Sequence, residues 1–325
     1  MTITCESNQA FRTSPPIRWE WVPCNLCGRD DPEQFHQERL NYFNTVLDFQ
    51  IVRCRHCGLV YTNPRLSDHN ATYLWGSCDD PDTIEQHGRV KGPVFDKALN
   101  RIELLVHRTD NALGNMPPRL LDIGCGSGHF LAAARHRGFE VCGIEPARIP
   151  ADYAEGTFHL PVIRHTILDT ELPEEQFDVI TAWDVIEHVS DPRAVMSRCV
   201  RWLKPNGIMA LRFPSAHWQK FKGLILHRLL ASERAVFAPT MHLYFFTAHT
   251  FARMCRPLGL KVERIQTTPA EKNTNHFLLD RIKVMTGALL RSLDSLCQSP
   301  LGNLEVFCRR KAIDASRRES GVFSS

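Results

Sequence analysis

Two knuckles, Cys24-Asn25-Leu26-Cys27-Gly28 and Cys54-Arg55-His56-Cys57-Gly58, stand 26 residues apart in the chain. A CxxC pair closes a tight turn that aims two thiolates at one point, and two such turns make a closed four-thiolate site of the kind that holds structural zinc. Cys24, Cys27, Cys54 and Cys57 are therefore the predicted metal ligands. Redox chemistry is the alternative, but neither pair opens the helix of a thioredoxin-like unit. A second stretch with chemistry in it is Leu120 to Phe130, LLDIGCGSGHF. Its three glycines, Gly124, Gly126 and Gly128, alternate, so the backbone can take positive φ and approach a ligand with no Cβ in the way. About twenty residues further on, Glu145 ends the apolar run Val141 to Ile144, where an acid can accept both hydroxyls of a ribose.

The elements around these residues follow from their pattern. Leu120, Leu121 and Ile123 read as a buried parallel strand broken at Gly124, and His129 to Arg137 has the composition of a helix. A glycine turn from strand to helix is a nucleoside site. In the dinucleotide fingerprint the third glycine comes three residues after the second; here it comes two after, and Asp122 precedes the first. Phe177 to Ala182 reads as another buried strand, followed by Trp183-Asp184-Val185-Ile186-Glu187-His188. Ligands in an open α/β sheet bind outside the carboxyl ends of strands, which puts Trp183 to His188 beside the reacting group. Further predicted elements are a helix over Val94–Arg108, a strand near Val162-Ile163 and a helix from Asp191-Pro192 to Trp202. A turn over Leu203–Gly207 then leads to a strand over Ile208–Phe213. After these come a helix over His249–Pro257, a strand over Gly259–Ile265, an amphipathic helix over Phe277–Cys297 and a strand over Leu304–Cys308. Between the cysteine knuckles the spacer must form its own hairpin, with Val46 to Val52 a strand. Ser215 to Pro239 mixes aromatic, basic and apolar residues, as either a substrate lid or a surface helix would.

With DxGxGxG over Asp122–Gly128 and the distal Glu145, this region resembles the class I S-adenosylmethionine-dependent methyltransferases. The resemblance implies a Rossmann-like α/β sheet of seven strands, the final one antiparallel, with helices on both faces. It also implies S-adenosyl-L-methionine as cofactor, bound by Asp122, Gly124, Cys125, Gly126, Gly128 and Glu145, with Thr166 and Ile167 in the loop flanking the adenine and Trp183 and Asp184 nearby. A helix ahead of the first strand would lie over the cofactor. The order CxxCG, spacer, CxxCGLVYTNPR and then this domain resembles bacterial methyltransferases of small molecules and surface glycans, including sugar C-methyltransferases with an N-terminal zinc module. Glu187-His188 resembles the EH pair of small-molecule O-methyltransferases. MHLYFFT, Met241 to Thr247, resembles the EHLxYFS segment of the sugar enzymes, with Met241 in place of its glutamate. His188 and His242 are thus the two candidate bases, with Glu187 beside them. Asp184, Glu187 and His188 also resemble the ExxEH magnesium site of quinone and RNA 3′-end methyltransferases, with Asp at the first position.

Charge and composition narrow the rest. A net charge of +3 gives no broad electrostatic case for nucleic acid or membrane. Between Arg18 and Arg65 six Arg face six Asp or Glu with no Lys, which argues against a phosphate-tracking surface on the cysteine module and so against RNA as substrate. No run of residues is apolar enough to span a bilayer, and the N-terminus lacks the apolar core of a secretory signal. Twelve cysteines then read as reduced thiols and metal ligands in a cytoplasmic protein. The expected organisation is a disordered arm (1–17), a zinc ribbon-like module (18–67), a connecting helical segment (68–115), the methyltransferase domain (116–311) and a disordered tail (312–325). The expected activity is methyl transfer to an oxygen or carbon of a small molecule or glycan precursor. The rivals are an RNA-modifying methyltransferase that uses the zinc module as a reader, which the balanced charge speaks against, and, from another class, a zinc-stabilised interaction protein without catalysis. Oligomeric state and acceptor are not encoded in any spacing.

Overall fold

The computed structural model describes residues 17–42, 45–67, 81–107, 116–220, 236–268 and 302–312. The predicted helix over 277–297, the tail beyond 312, the arm up to 16 and residues 221–235 of the predicted insertion lie outside the described residues.

A seven-stranded sheet forms the centre. Its strands are β6 (Arg119–Ile123), β7 (Glu140–Ile144), β8 (Val162–Ile163), β9 (Phe177–Trp183), β10 (Leu203–Pro214), β12 (Leu260–Thr267) and β13 (Asn303–Arg310), in the order β12-β13-β10-β9-β6-β7-β8. The contacts β6–β7, β7–β8, β6–β9 and β9–β10 are parallel, and β13 runs antiparallel to both β10 and β12. The chain order reverses between β6 and β9, so the crevice at their carboxyl ends is the place where an open sheet of this kind takes a ligand.

Side chains alternate between the faces of this sheet with the two-residue period of extended backbone. Leu121, Ile123, Ile180, Ala182, Met209 and Leu211 share one apolar core with Val195, Met196 and Trp202 of α4 (Pro192–Trp202) and with Phe251 and Met254 of α5 (Ala248–Cys255). Leu120, Val179, Ile208 and Ala210 face the other way. They pack with Phe95, Leu99 and Ile102 of α1 (Pro81–His107) and with Phe130, Leu131 and Ala134 of α2 (His129–His136). α3 (Arg148–Phe158) follows β7. Asp191 caps α4 by accepting from the Ala194 amide at 2.9 Å, and Thr247 and Thr250 form a reciprocal capping box on α5.

The cysteine segment folds as β1 (Trp19–Glu20), β2 (Pro32–Tyr42), β3 (Thr45–Cys54), β4 (Val60–Thr62) and β5 (Arg65–Leu66). β2 and β3 make the hairpin that the spacer demanded. The second sheet does not end with this segment. β4 pairs on its free side with β11 (Tyr244–Phe245), giving the order β11-β4-β3-β2 across the two parts of the chain.

Several boundaries differ from the sequence reading. The helix expected from Val94 begins at Pro81 and carries Pro93 inside it, because its N-terminal half lies over the glycine turn and gains tertiary contacts that periodicity alone does not register. β3 extends past Val52 to Cys54, since its partner strand is 11 residues long. β10 begins at Leu203, with a register irregularity between Leu203 and Ile208; Asn206 takes the expected left-handed conformation at φ 64° inside that irregularity. The helix expected to reach Pro257 stops at Cys255 and passes into a 3-10 turn over Arg256–Leu258.

Candidate active site

Gly124, Gly126 and Gly128 all have positive φ, at 62°, 53° and 78°. They differ in what requires glycine. A Cβ on Gly124 would fall 2.7 Å from Val185, and one on Gly128 2.6 Å from Leu160 and 2.9 Å from Ala154, so both also serve close packing; Gly126 has open space in front of it. The turn is held by Glu145, whose Oε2 accepts from the Gly126 amide at 2.9 Å and whose Oε1 accepts from the Ala147 amide at 2.8 Å. Asp122 and Thr181 face each other across β6 and β9, and the Thr181 hydroxyl donates to Asp122 Oδ1 at 2.6 Å. Burial drives the Asp122 carboxyl up to about 8, with the Glu145 charge adding to it and the Thr181 bond opposing.

The turn and Asp122 line one side of a cleft, although Gly128, Glu145 and Asp184 are not among its walls. Asp122, Gly124, Cys125, Gly126 and Trp183 are among its walls, together with Ser127, His129 and Phe130, while Gly88, Lys91 and Phe95 of α1 close it from above. Phe95, Phe130 and Trp183 form an aromatic trio, with ring centroids 4.9 to 6.2 Å apart. Asp184 follows at φ 56° and pairs with Lys91 Nζ at 2.5 Å and Arg212 Nε at 3.5 Å. Burial would raise the Asp184 carboxyl, but the Lys91 and Arg212 charges outweigh it and hold the group at about 2. Thr166 and Ile167 are not among the cleft walls. The Thr166 hydroxyl donates to Asp169 Oδ2 at 2.6 Å.

Beyond Asp184 lies a second cluster. Oxygen or nitrogen donor atoms of Glu187, His188 and His242 come within 4.8 Å of one another, and the two imidazole centroids are 4.8 Å apart. His188 Nδ1 is 2.8 Å from the Met241 carbonyl and His242 Nδ1 is 3.0 Å from the Phe237 carbonyl. A carbonyl only accepts, so in both rings Nδ1 carries a proton. Neither carboxylate oxygen of Glu187 has a hydrogen-bond partner among the described residues, although the side chain is 1% exposed. Burial and the nearby Asp184 charge raise the Glu187 carboxyl well above its ordinary range, while burial and His242 push His188 down to about 3.

The four thiols also converge. Cys24 Sγ lies 3.3 Å from Cys57 Sγ and Cys27 Sγ 3.6 Å from Cys54 Sγ, and all four sit within 4.8 Å of one another. Zinc–sulfur bonds of about 2.3 Å in a tetrahedron put sulfurs about 3.8 Å apart, so the spacing fits that ion. Each knuckle ends on a left-handed glycine, Gly28 at φ 73° and Gly58 at φ 78°, and directs backbone amides of Leu26 and Cys27 at Cys24 and of His56 and Cys57 at Cys54. All nine described cysteines are free.

A family model described as "Methyltransferase domain" matches residues 96–265, just over half of the chain. The chain belongs to the methyltransferase domain family. The matched span holds the glycine turn, Glu145, Trp183 to His188 and His242, and it leaves the cysteine segment outside. Among curated relatives, a ubiquinone biosynthesis O-methyltransferase of Rhodopseudomonas palustris strain HaA2 is 40% identical over 111 residues, 32% of this chain and 42% of the relative. The protein of the same name from Bradyrhizobium diazoefficiens is 35% identical over 138 residues, 40% of this chain and 52% of the relative. The methyltransferase chain thus spans about half or less of the curated relatives it matches. A solved plantazolicin methyltransferase in complex with SAH overlays with a TM-score of 0.49 at 15% identity, covering 74% of this chain and 94% of that one. An S-adenosylmethionine-dependent methyltransferase from Mesorhizobium loti gives 0.46 at 15% identity over 69% and 100%. Among the described residues, no helix is long and apolar enough to cross a membrane.

Sequence reasoning did not find Gly88, Lys91 or Phe95 as cleft residues, nor Arg212 beside Asp184. The helix expected ahead of the first strand lies over the cleft; Phe95 falls within its predicted span, whereas Gly88 and Lys91 precede the predicted start at Val94.

Proposed function

We propose that the protein transfers the methyl group of S-adenosylmethionine to a hydroxyl oxygen of a small molecule. Asp122, Gly124, Cys125, Gly126, Gly128, Glu145, Trp183 and Asp184 would form the cofactor side, with Thr166 and Ile167 near the adenine, and Glu187, His188 and His242 the acceptor side. The observation that carries this reading is the convergence of two imidazoles and a buried carboxyl: donor atoms of Glu187, His188 and His242 lie within 4.8 Å of one another, and each imidazole has its Nδ1 held against a backbone carbonyl. The cofactor supplies a methyl group on a sulfonium, which a nucleophile displaces in line with the sulfur. The protein then has to hold the nucleophile in that line, an effect worth roughly 7–11 kcal/mol, and to take a proton from the hydroxyl. A neutral imidazole acceptor and a buried carboxyl within reach serve the second task. The names of the curated relatives favour oxygen over carbon and a phenolic or quinol acceptor over a glycan precursor.

A second reading of the acceptor side has its own support. One carboxylate and two imidazoles whose ligand atoms lie within 4.8 Å of one another form a candidate donor set for a divalent cation, and the Glu187 oxygens have no hydrogen-bond partner among the described residues. A cation held there would acidify an acceptor hydroxyl. Zinc at the four cysteines is proposed as structural. A reducing, cytoplasmic setting is supported by the nine free thiols, and residues 18–67, 68–115 and 116–311 are read as module, connector and catalytic domain.

The test is incubation with methyl-labelled S-adenosylmethionine and a panel of catechols and quinols, before and after dialysis against a chelator. Labelled ether product is expected. Absence of product together with no calorimetric binding of S-adenosylhomocysteine would favour a non-catalytic role.

A further inference from the structure

The segment from Val236 to Phe245 carries His242, the Phe237 carbonyl that orients His242 and the Met241 carbonyl that orients His188. Among the described residues, Glu38 and Thr62 of the cysteine module make five hydrogen bonds to this segment. Glu38, on β2 and 7% exposed, accepts through Oε1 from the amides of Val236 at 2.7 Å and Phe237 at 2.8 Å, and through Oε2 from Ala238 at 3.2 Å. Three amides of an irregular loop thereby gain a charged acceptor that no neighbouring strand supplies. Ala238 sits at φ 51°, a conformation an alanine adopts only when its surroundings enforce it, and its carbonyl accepts from the Met241 and His242 amides at 2.9 Å each. From the other side, Thr62 of β4 donates its hydroxyl to the His242 carbonyl at 3.1 Å and its amide to the Leu243 carbonyl at 2.9 Å. The Leu243 and Tyr244 amides then reach the Glu187 carbonyl at 2.8 and 3.1 Å.

We infer that Glu38 and Thr62 are positioning residues for His242, and through Met241 for His188, so that the cysteine module is a working part of the acceptor side. This rests on the proposed methyl transfer for its catalytic consequence, and on geometry alone for the placement of the imidazoles. Glu38 sets the loop that orients the ring, Thr62 sets the backbone that carries it, and the metal-binding knuckles fix the hairpin to which both belong. The segment cannot shift toward an acceptor or away from one without breaking hydrogen bonds to the module.

The experiment uses full-length, zinc-replete protein labelled with 15N-histidine and saturated with S-adenosylhomocysteine, with His188→Asn and His242→Asn assigning the signals. Two Nδ1-protonated, slowly exchanging imidazoles are expected in the wild type. Glu38→Gln, which keeps size but loses charge, should remove or broaden the His242 Nδ1–H signal while cofactor affinity stays within about twofold, and should lower kcat on a catechol probe about tenfold with KM for S-adenosylmethionine unchanged. Thr62→Val should act in the same direction and serves where Glu38→Gln fails to fold. A wild-type His242 signal in both variants would overturn the inference. A wild type that leaves the catechol unmethylated would count against the proposed acceptor class only, since the imidazole signals still decide the positioning claim.

Discussion

Asp122 and Thr181 occupy paired positions on adjacent parallel strands, and their side chains meet on the face that carries the cleft, hydroxyl to carboxylate at 2.6 Å. The carboxyl is buried at the floor of the cleft, and burial lifts it from 3.8 to about 8. In the folded protein it therefore keeps its proton up to about pH 8, whereas in the unfolded chain it releases it near pH 4. The folded state binds more protons between these limits, so the contribution of Asp122 is complete below pH 4 and falls as pH rises toward 8, by at most about 1.4 kcal/mol per pH unit for one proton. Urea unfolding of the cofactor-free protein across pH 5 to pH 8 should show this decline, and Asp122→Asn should flatten it. An unchanged slope in the variant would mean that Asp122 is already ionised in the fold.

His188 and His242 offer the next measurement. Removing a general base costs about 10² to 10⁴ in rate, and neither imidazole lines the cleft at the glycine turn. His188→Ala and His242→Ala should therefore cut labelled-methyl transfer by about that range while calorimetric affinity for S-adenosylhomocysteine stays near wild type. Equal turnover in both variants would take the imidazoles out of the chemistry.

The cysteine cluster gives a compositional expectation. A segment of this size buries too little apolar surface to be stable by itself, and structural zinc contributes on the order of 10 kcal/mol to such units. Elemental analysis should find about one zinc per chain, and Cys54→Ser should lose it together with several degrees of melting temperature. A protein that melts identically with and without a chelator would rule out a structural ion.

The glycine turn, Glu145 and the four cysteines were legible because each rests on a local necessity: positive φ, an acid at a strand end, two thiolates on a tight turn. The parallel strands were legible because both faces are buried: β9 is buried at every position and reads as a mainly apolar run interrupted only by Asp178 and Thr181. What spacing could not show are relations between distant segments. Nothing local marks Glu38 as the acceptor for amides about two hundred residues away, or Thr62 as the partner of His242. The pairing of β4 with β11 is equally invisible, since VYT and YF carry no register information about each other. The N-terminal half of α1 was missed because its sequence is polar and its helicity comes from lying across the turn.

Gly88 tests that last contact. It sits on α1 above the mouth of the cleft, and a Cβ there would fall 2.1 to 2.5 Å from the His129 ring. The ring has little room to give, because Ser127 Oγ holds its Nδ1 at 2.9 Å and it lies against Tyr153 and Phe158 at centroid distances of 5.8 and 5.1 Å. Gly88→Ala should therefore tilt α1 off the turn and draw Lys91 away from Asp184, weakening S-adenosylhomocysteine binding about tenfold, or about 1.4 kcal/mol. Isothermal titration measures this directly. Adding His129→Ala should restore part of the affinity by opening the space the new methyl group needs, an outcome that separates a steric effect at this contact from a general loss of helix stability. Wild-type affinity in Gly88→Ala alone would show that the first turns of α1 do not close over the ligand.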